Sequence, residues 1–158
     1  MNRISFKVVS SSEWFGDVVA IEIDGMSLID LVREIEMPMA TNEGAPNIAG
    51  AYMGIAAMNH LPPSQHFLGV HDRPVRDDAK TDVLWCRDCG EPGCWPLNVS
   101  ISTDGDIVTW SEFEQPHRRG TNGNPPWVYD EFGPFVFRIK QYRDALEAAS
   151  HNRYRRGN

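Results

Sequence analysis

The sequence has no apolar run near the roughly 20 residues of a membrane-spanning helix, which argues against a helical membrane protein. It carries no Gly-rich phosphate loop, no G-x-S-x-G elbow and no H-E-x-x-H pair, so the common local signatures of nucleotide binding, acyl transfer and zinc proteolysis are missing. Internal repeats are absent too. Cysteine is scarce: three residues, an odd number confined to Cys86–Cys94, do not make the framework of a secreted disulfide scaffold. The stretch Met1 to Ser10 alternates polar and apolar residues where a signal peptide needs a continuous apolar core, so the expected compartment is the cytoplasm.

What is present suffices for a core. With 158 residues, 41% of them hydrophobic and 10% aromatic, the chain is long and apolar enough to fold without disulfides or metal, and disorder is excluded. The expected organisation is one α+β domain over residues 1–150, followed by a basic tail, 151–158. Fifteen basic and 22 acidic residues give a net charge of -7. Arg153, Arg155 and Arg156 belong to the tail, so residues 1–150 carry -7 minus 3, or -10. Such a body repels phosphate backbones, which disfavours nucleic acid and suits a basic protein partner.

Local patterning supplies the elements. Ile4, Phe6 and Val8 alternate with Ser5, Lys7 and Val9, and after a short break Val19, Ile21 and Ile23 alternate with Ala20, Glu22 and Asp24, which predicts an antiparallel hairpin. Ser27 and Asp30 form a variant capping box. Leu28, Leu31, Val32 and Ile35 then make one buried stripe, with Asp30, Arg33, Glu34 and Glu36 facing water, and Pro38 is expected to stop the helix near Glu36. Residues 37–47 read as a loop, and Ala49 to Met58 as an ordered loop or short helix. Val83 to Trp85, Leu97 to Ile101 and Ile107 to Phe113, with Asp104-Gly105 at the second turn, predict a three-stranded meander. Phe135, Phe137 and Ile139 alternate as a last strand before a helix lined by Tyr142, Leu146 and Ala149. The expected fold is an antiparallel sheet of about five or six strands with two main helices packed on one face.

Cys86-Arg87-Asp88-Cys89-Gly90 has the C-x-x-C-G form of a zinc knuckle, in which two thiolates share one ion and glycine permits the tight turn. Cys94 offers a third sulfur, and His71 or His117 are the candidates for a fourth ligand. The plainest reading is that the cysteines pack as small apolar residues with no cofactor; structural zinc is the alternative. A redox dithiol fares worst, because Gly90, Pro92 and Gly93 deny the cysteines the helix N-terminus that lowers a thiol pKa.

The run Trp85 to Trp95 (WCRDCGEPGCW), with Val99 to Phe113 and the late F-x-F strand, resembles a group of small bacterial proteins with a C-x-x-C-G-x-x-G-C turn and a V-x-W-x-x-F strand. The resemblance covers about the C-terminal half. It implies a bacterial source and a sheet, and it brings no catalytic residues.

An enzyme would have to rest on scattered residues, His66, His71-Asp72 and Asp77-Asp78, which a charged connecting loop explains as well. For binding, Arg118, Arg119, Trp127 and Tyr129 form the candidate surface, since Arg, Trp and Tyr are frequent interface hot spots; the same aromatics could instead fold back to cover the sheet. The reading that follows is a binding protein rather than an enzyme, for instance an immunity protein that occludes a basic toxin domain. The alternative is a metal-dependent module or enzyme organised around the three cysteines and a histidine.

Overall fold

The computed structural model describes residues 1–11, 16–71, 79–120 and 123–156. Strands β1 (Ile4–Ser10) and β2 (Asp17–Ile23) pair antiparallel from Ile4↔Ile23 to Ser10↔Asp17. This register buries both alternating apolar sets, Ile4, Phe6 and Val8 with Val19, Ile21 and Ile23. Asp24 and Gly25, both at positive φ, turn the chain into the short strand β3 (Met26–Ser27). Asp24 tolerates that conformation and accepts hydrogen bonds from the Asn2 side chain and the Arg3 backbone.

Helix α1 (Leu28–Asn42) departs from expectation in three ways. Ser27 is its N-cap but makes no side-chain capping bond. Glu36 faces inward and is fully buried, in line with Leu28, Val32 and Ala40. The helix also continues through Pro38 to Asn42. A proline costs one helical hydrogen bond, and the turn beyond it offsets that loss by burying Ala40 and setting Met39 and Glu43 against the segment around Trp127.

Among the described residues eight strands form two antiparallel sheets, where one sheet of five or six strands is expected: β1-β2-β3, and a five-stranded sheet whose order follows the sequence, β4 (Tyr52–Gly54), β5 (Thr81–Cys86), β6 (Leu97–Asp104), β7 (Ile107–Glu114) and β8 (Phe135–Arg138). Two strands lie outside the expected set, the two-residue β3 and β4, the latter three residues inside the Ala/Gly-rich run and followed by the one-turn helix α2 (Ala57–His60). Strand β4 is the seam between the sheets. The Val19 N–H donates to the Ile55 carbonyl at 2.9 Å, and a methyl group on Gly54 would run into the Val19 backbone. Backbone meets backbone there, which only glycine permits.

Strands β5 (Thr81–Cys86), β6 (Leu97–Asp104) and β7 (Ile107–Glu114) form the predicted meander, with Asp104-Gly105 at the hairpin. The register of β6 with β7 shifts between Asn98 and Ser100, and Glu112 takes φ 56 at that bulge. The extra residue explains the W-x-x-F spacing, because it brings Trp110 and Phe113 to the buried side although they are three apart. Strand β8 (Phe135–Arg138) closes the sheet.

Ile139 opens helix α3 (Ile139–Arg156) instead of ending the strand, its N–H donating to Asp106 O at 2.7 Å. The helix runs through the stretch expected to be a tail, and Gly157 and Asn158 lie outside the described residues. Tyr142 of α3 accepts the Trp110 indole N–H at 3.0 Å and donates to the Phe67 carbonyl. One contiguous hydrophobic cluster takes in both sheets and both long helices. No helix among the described residues is long and apolar enough to cross a membrane.

Candidate functional site

The turn between β5 and β6 gathers the three cysteines: their sulfur atoms lie within 4.8 Å of one another. Two glycines at positive φ, Gly90 and Gly93, shape it, with Gly90 N–H donating to Cys86 O at 2.8 Å and Cys94 N–H to Glu91 O at 3.3 Å. Arg87 N–H donates to Ala51 O at 3.1 Å, which ties the turn to the chain just before β4. The cluster grades from buried Cys86 through half-buried Cys89 to exposed Cys94, and all three are free thiols. Burial alone would raise the Cys86 thiol. Backbone N–H groups of Cys89 and Asp88 directed at its sulfur, together with the Cys89 and Cys94 thiols, bring it below its ordinary value instead. Cys94 is pushed up to about 12, mainly by the hydrogen bonds that tie its thiol to the sulfurs of Cys89 and Cys86. No helix begins at these cysteines, so the dipole that activates a redox dithiol is missing. Soft sulfur ligands converging this closely suit zinc or another thiophilic cation.

Neither histidine candidate joins the three sulfurs within that distance. His117 flanks the turn, its Nε2 2.7 Å from the Gly93 carbonyl and its ring stacked on Trp95. The Trp95 indole nitrogen is buried with no partner among the described residues. His71 lies elsewhere, with Nε2 3.0 Å from the Thr81 hydroxyl and its ring 5.1 Å from that of His66.

His71 instead belongs to a cavity of about 520 Å³ walled by His60, His66, His71, Asp82, Trp85 and Pro92. Helix α2 presents His60, the turn His66–Leu68 presents His66, and β5 contributes Asp82 and Trp85. His60 and His66 meet edge-to-face at 4.5 Å, and His60 meets Trp85 at 5.3 Å. Burial, opposed by the hydrogen bond to the Asp82 backbone, lowers His66 to about 4; burial also lowers His60. Both rings are therefore neutral near pH 7. Sequence reasoning singled out His66 and His71 but missed His60 and Trp85, which reach the cavity only through tertiary folding. Asp72, Asp77 and Asp78 lie outside the described residues.

The candidate binding loop is folded onto α1. Trp127 and Tyr129 are each 7% exposed. Trp127 Nε1 donates to Glu43 at 2.7 Å, and Arg118 Nε donates to both Glu43 carboxylate oxygens at 3.1 and 3.2 Å while its guanidinium lies 4.9 Å from the centre of the Trp95 ring. Arg119 pairs with Glu114. Tyr129 and Tyr52 both donate to Glu36 Oε2, at 2.5 and 2.6 Å, and Gly50 N–H donates to Oε1 at 2.8 Å. Burial raises the Glu36 carboxyl above its ordinary value despite those donors.

No protein-family model, no curated protein and no solved structure matches this chain.

Proposed function

We propose that this chain is a metal-binding protein in which Cys86, Cys89 and Cys94 hold one thiophilic divalent cation, zinc first, as a clasp on the β5–β6 connection. The observation that supports this reading is the convergence of three sulfurs within 4.8 Å in one turn, which two glycines at positive φ shape. Zinc is four-coordinate, so beyond the three thiolates one position is left for a water or an added group. The cation's work is structural: it would fix the long turn against β4 and stabilise the five-stranded sheet.

Metal analysis of protein purified without added zinc tests this. Near-stoichiometric zinc is expected, with a chelator removing it and lowering the melting temperature, and with Cys86→Ser unable to retain it. Protein that carries no metal, takes up none on refolding with zinc and melts unchanged would defeat the reading.

Occlusion of a basic protein, such as a toxin domain, is the second reading. It is favoured by the net charge of -7. Pull-down from the native host that recovers a basic protein supports it; recovery of none, with a metabolic operon around the gene, counts against it.

A further inference from the structure

The histidine cavity has a polarity set by its tautomers. His60 Nδ1 lies 2.7 Å from the Ala56 carbonyl, and His66 Nε2 lies 2.7 Å from the Asp82 carbonyl. A carbonyl oxygen only accepts, so each of these nitrogens carries the proton. In the neutral ring the remaining nitrogen, Nε2 of His60 and Nδ1 of His66, is then an acceptor. Neither accepts a hydrogen bond from the described residues. Three nearby donors are already committed: Trp85 Nε1 and the Asn98 amide donate to Asp82, and the Lys80 ammonium pairs with Glu114 at 2.7 Å. The wall thus combines two fixed acceptors with the aromatic ring of Trp85. A pocket of about 520 Å³ with a largely apolar lining and a few convergent polar groups is the usual form of a small-molecule site.

We propose that this cavity binds a small, uncharged, flat molecule bearing at least two O–H or N–H donors, a hydroxylated aromatic ring being the simplest form, with His60 Nε2 and His66 Nδ1 accepting its hydrogen bonds and Trp85 packing on its ring. This site is separate from the sulfur cluster and does not depend on the metal reading. A divalent cation fits it less well, because the three histidines do not bring their ligand atoms within 4.8 Å of one another.

The test compares resorcinol with 1,3-dimethoxybenzene, which has the same ring and no donor. Binding is followed at pH 7 by the ¹⁵N signals of the histidine rings and by tryptophan fluorescence. Resorcinol is expected to shift the unprotonated nitrogens of His60 and His66. The dimethoxy compound should bind at least about tenfold more weakly, the worth of one neutral hydrogen bond. His60→Phe keeps a ring and removes one acceptor, and should weaken resorcinol by a similar factor; His66→Gln, read alongside, covers the case in which the first variant misfolds. Equal binding of the two compounds, or no shift from resorcinol in protein whose spectrum is folded, overturns the proposal. So does zinc shifting these nitrogens in the Cys86→Ser/Cys89→Ser/Cys94→Ser variant, which would make the cavity a cation site.

Discussion

Tyr129 reaches across 93 residues of sequence to place its hydroxyl on Glu36, in the middle of α1. The bond pins the long connection between β7 and β8 to the first helix, and Tyr52 of β4 shares the same carboxylate oxygen. Removing one donor from a buried carboxylate leaves an acceptor short of a partner. Tyr129→Phe is therefore expected to cost about 1–3 kcal/mol in urea unfolding. Glu36→Gln should cost as much or more, since the amide replaces an acceptor with a donor where three donors converge. A double-mutant cycle reporting independent effects would show that the contact is incidental.

His66 predicts the acid response. Its folded-state value, about 4, lies below the ordinary 6.5, so the unfolded chain takes up a proton before the folded one does. Its contribution is complete above pH 6.5 and is lost as the pH falls towards 4, on the order of 2–3 kcal/mol at 1.36 kcal/mol per unit. His60 acts in the same direction. Glu36 acts oppositely: raised in the folded state, it favours folding below 4.5 and loses that contribution as the pH rises through its folded value. Unfolding free energies of wild type and His66→Gln between pH 7 and 4 separate these effects. The variant should show the shallower fall, and parallel curves would contradict the assignment.

Gly54→Ala probes the seam. The added methyl would meet the Val19 backbone, which no side-chain rotation relieves. We expect a loss of several kcal/mol, near the limit of what single substitutions do, or failure to fold. Gly25→Ala meets nothing within 4 Å and should cost only the strain of its positive φ, so it serves as the control. Similar melting temperatures for the two variants would contradict the backbone contact.

Arg118 is predicted to be intolerant of lysine. It spans the Glu43 carboxylate with its Nε and stacks over Trp95, and a lysine ammonium reproduces neither the stacking nor the planar geometry. Arg118→Lys should lose most of what Arg118→Ala loses, roughly 1 kcal/mol, in thermal melts with tryptophan fluorescence as readout. Full stability in the lysine variant would reduce the contact to simple charge pairing.

Where one local pattern determines the outcome, the structure follows the sequence: the β1–β2 hairpin, the Asp104-Gly105 turn, the start of α1 and the sulfur-bearing turn. Departures occur where tertiary contacts outweigh local preference. Pro38 does not stop α1 because burial beyond it outweighs one lost hydrogen bond. Glu36 looks like a solvent residue until two tyrosines from distant segments arrive to satisfy it. Strand β4 is invisible as a pattern because three residues carry no periodicity, and glycine reads as a weak strand former until Val19 is placed against it. The cysteine cluster was legible because its members are close in sequence. His60 and Trp85 were not, since nothing in their spacing announces a shared wall.

The embrace of β1 by α3 has a consequence for synthesis. Gln141 holds both the amide and the carbonyl of Ile4, which leaves the ribosome 137 residues earlier. Part of the cover over the first hairpin, the Tyr142 ring against Phe6 and the Gln141 clasp on Ile4, therefore arrives only when nearly the whole described chain has been made. A nascent chain stalled before Phe135 should be protease-sensitive throughout its leading strands, and the last helix acts as the latch that completes them.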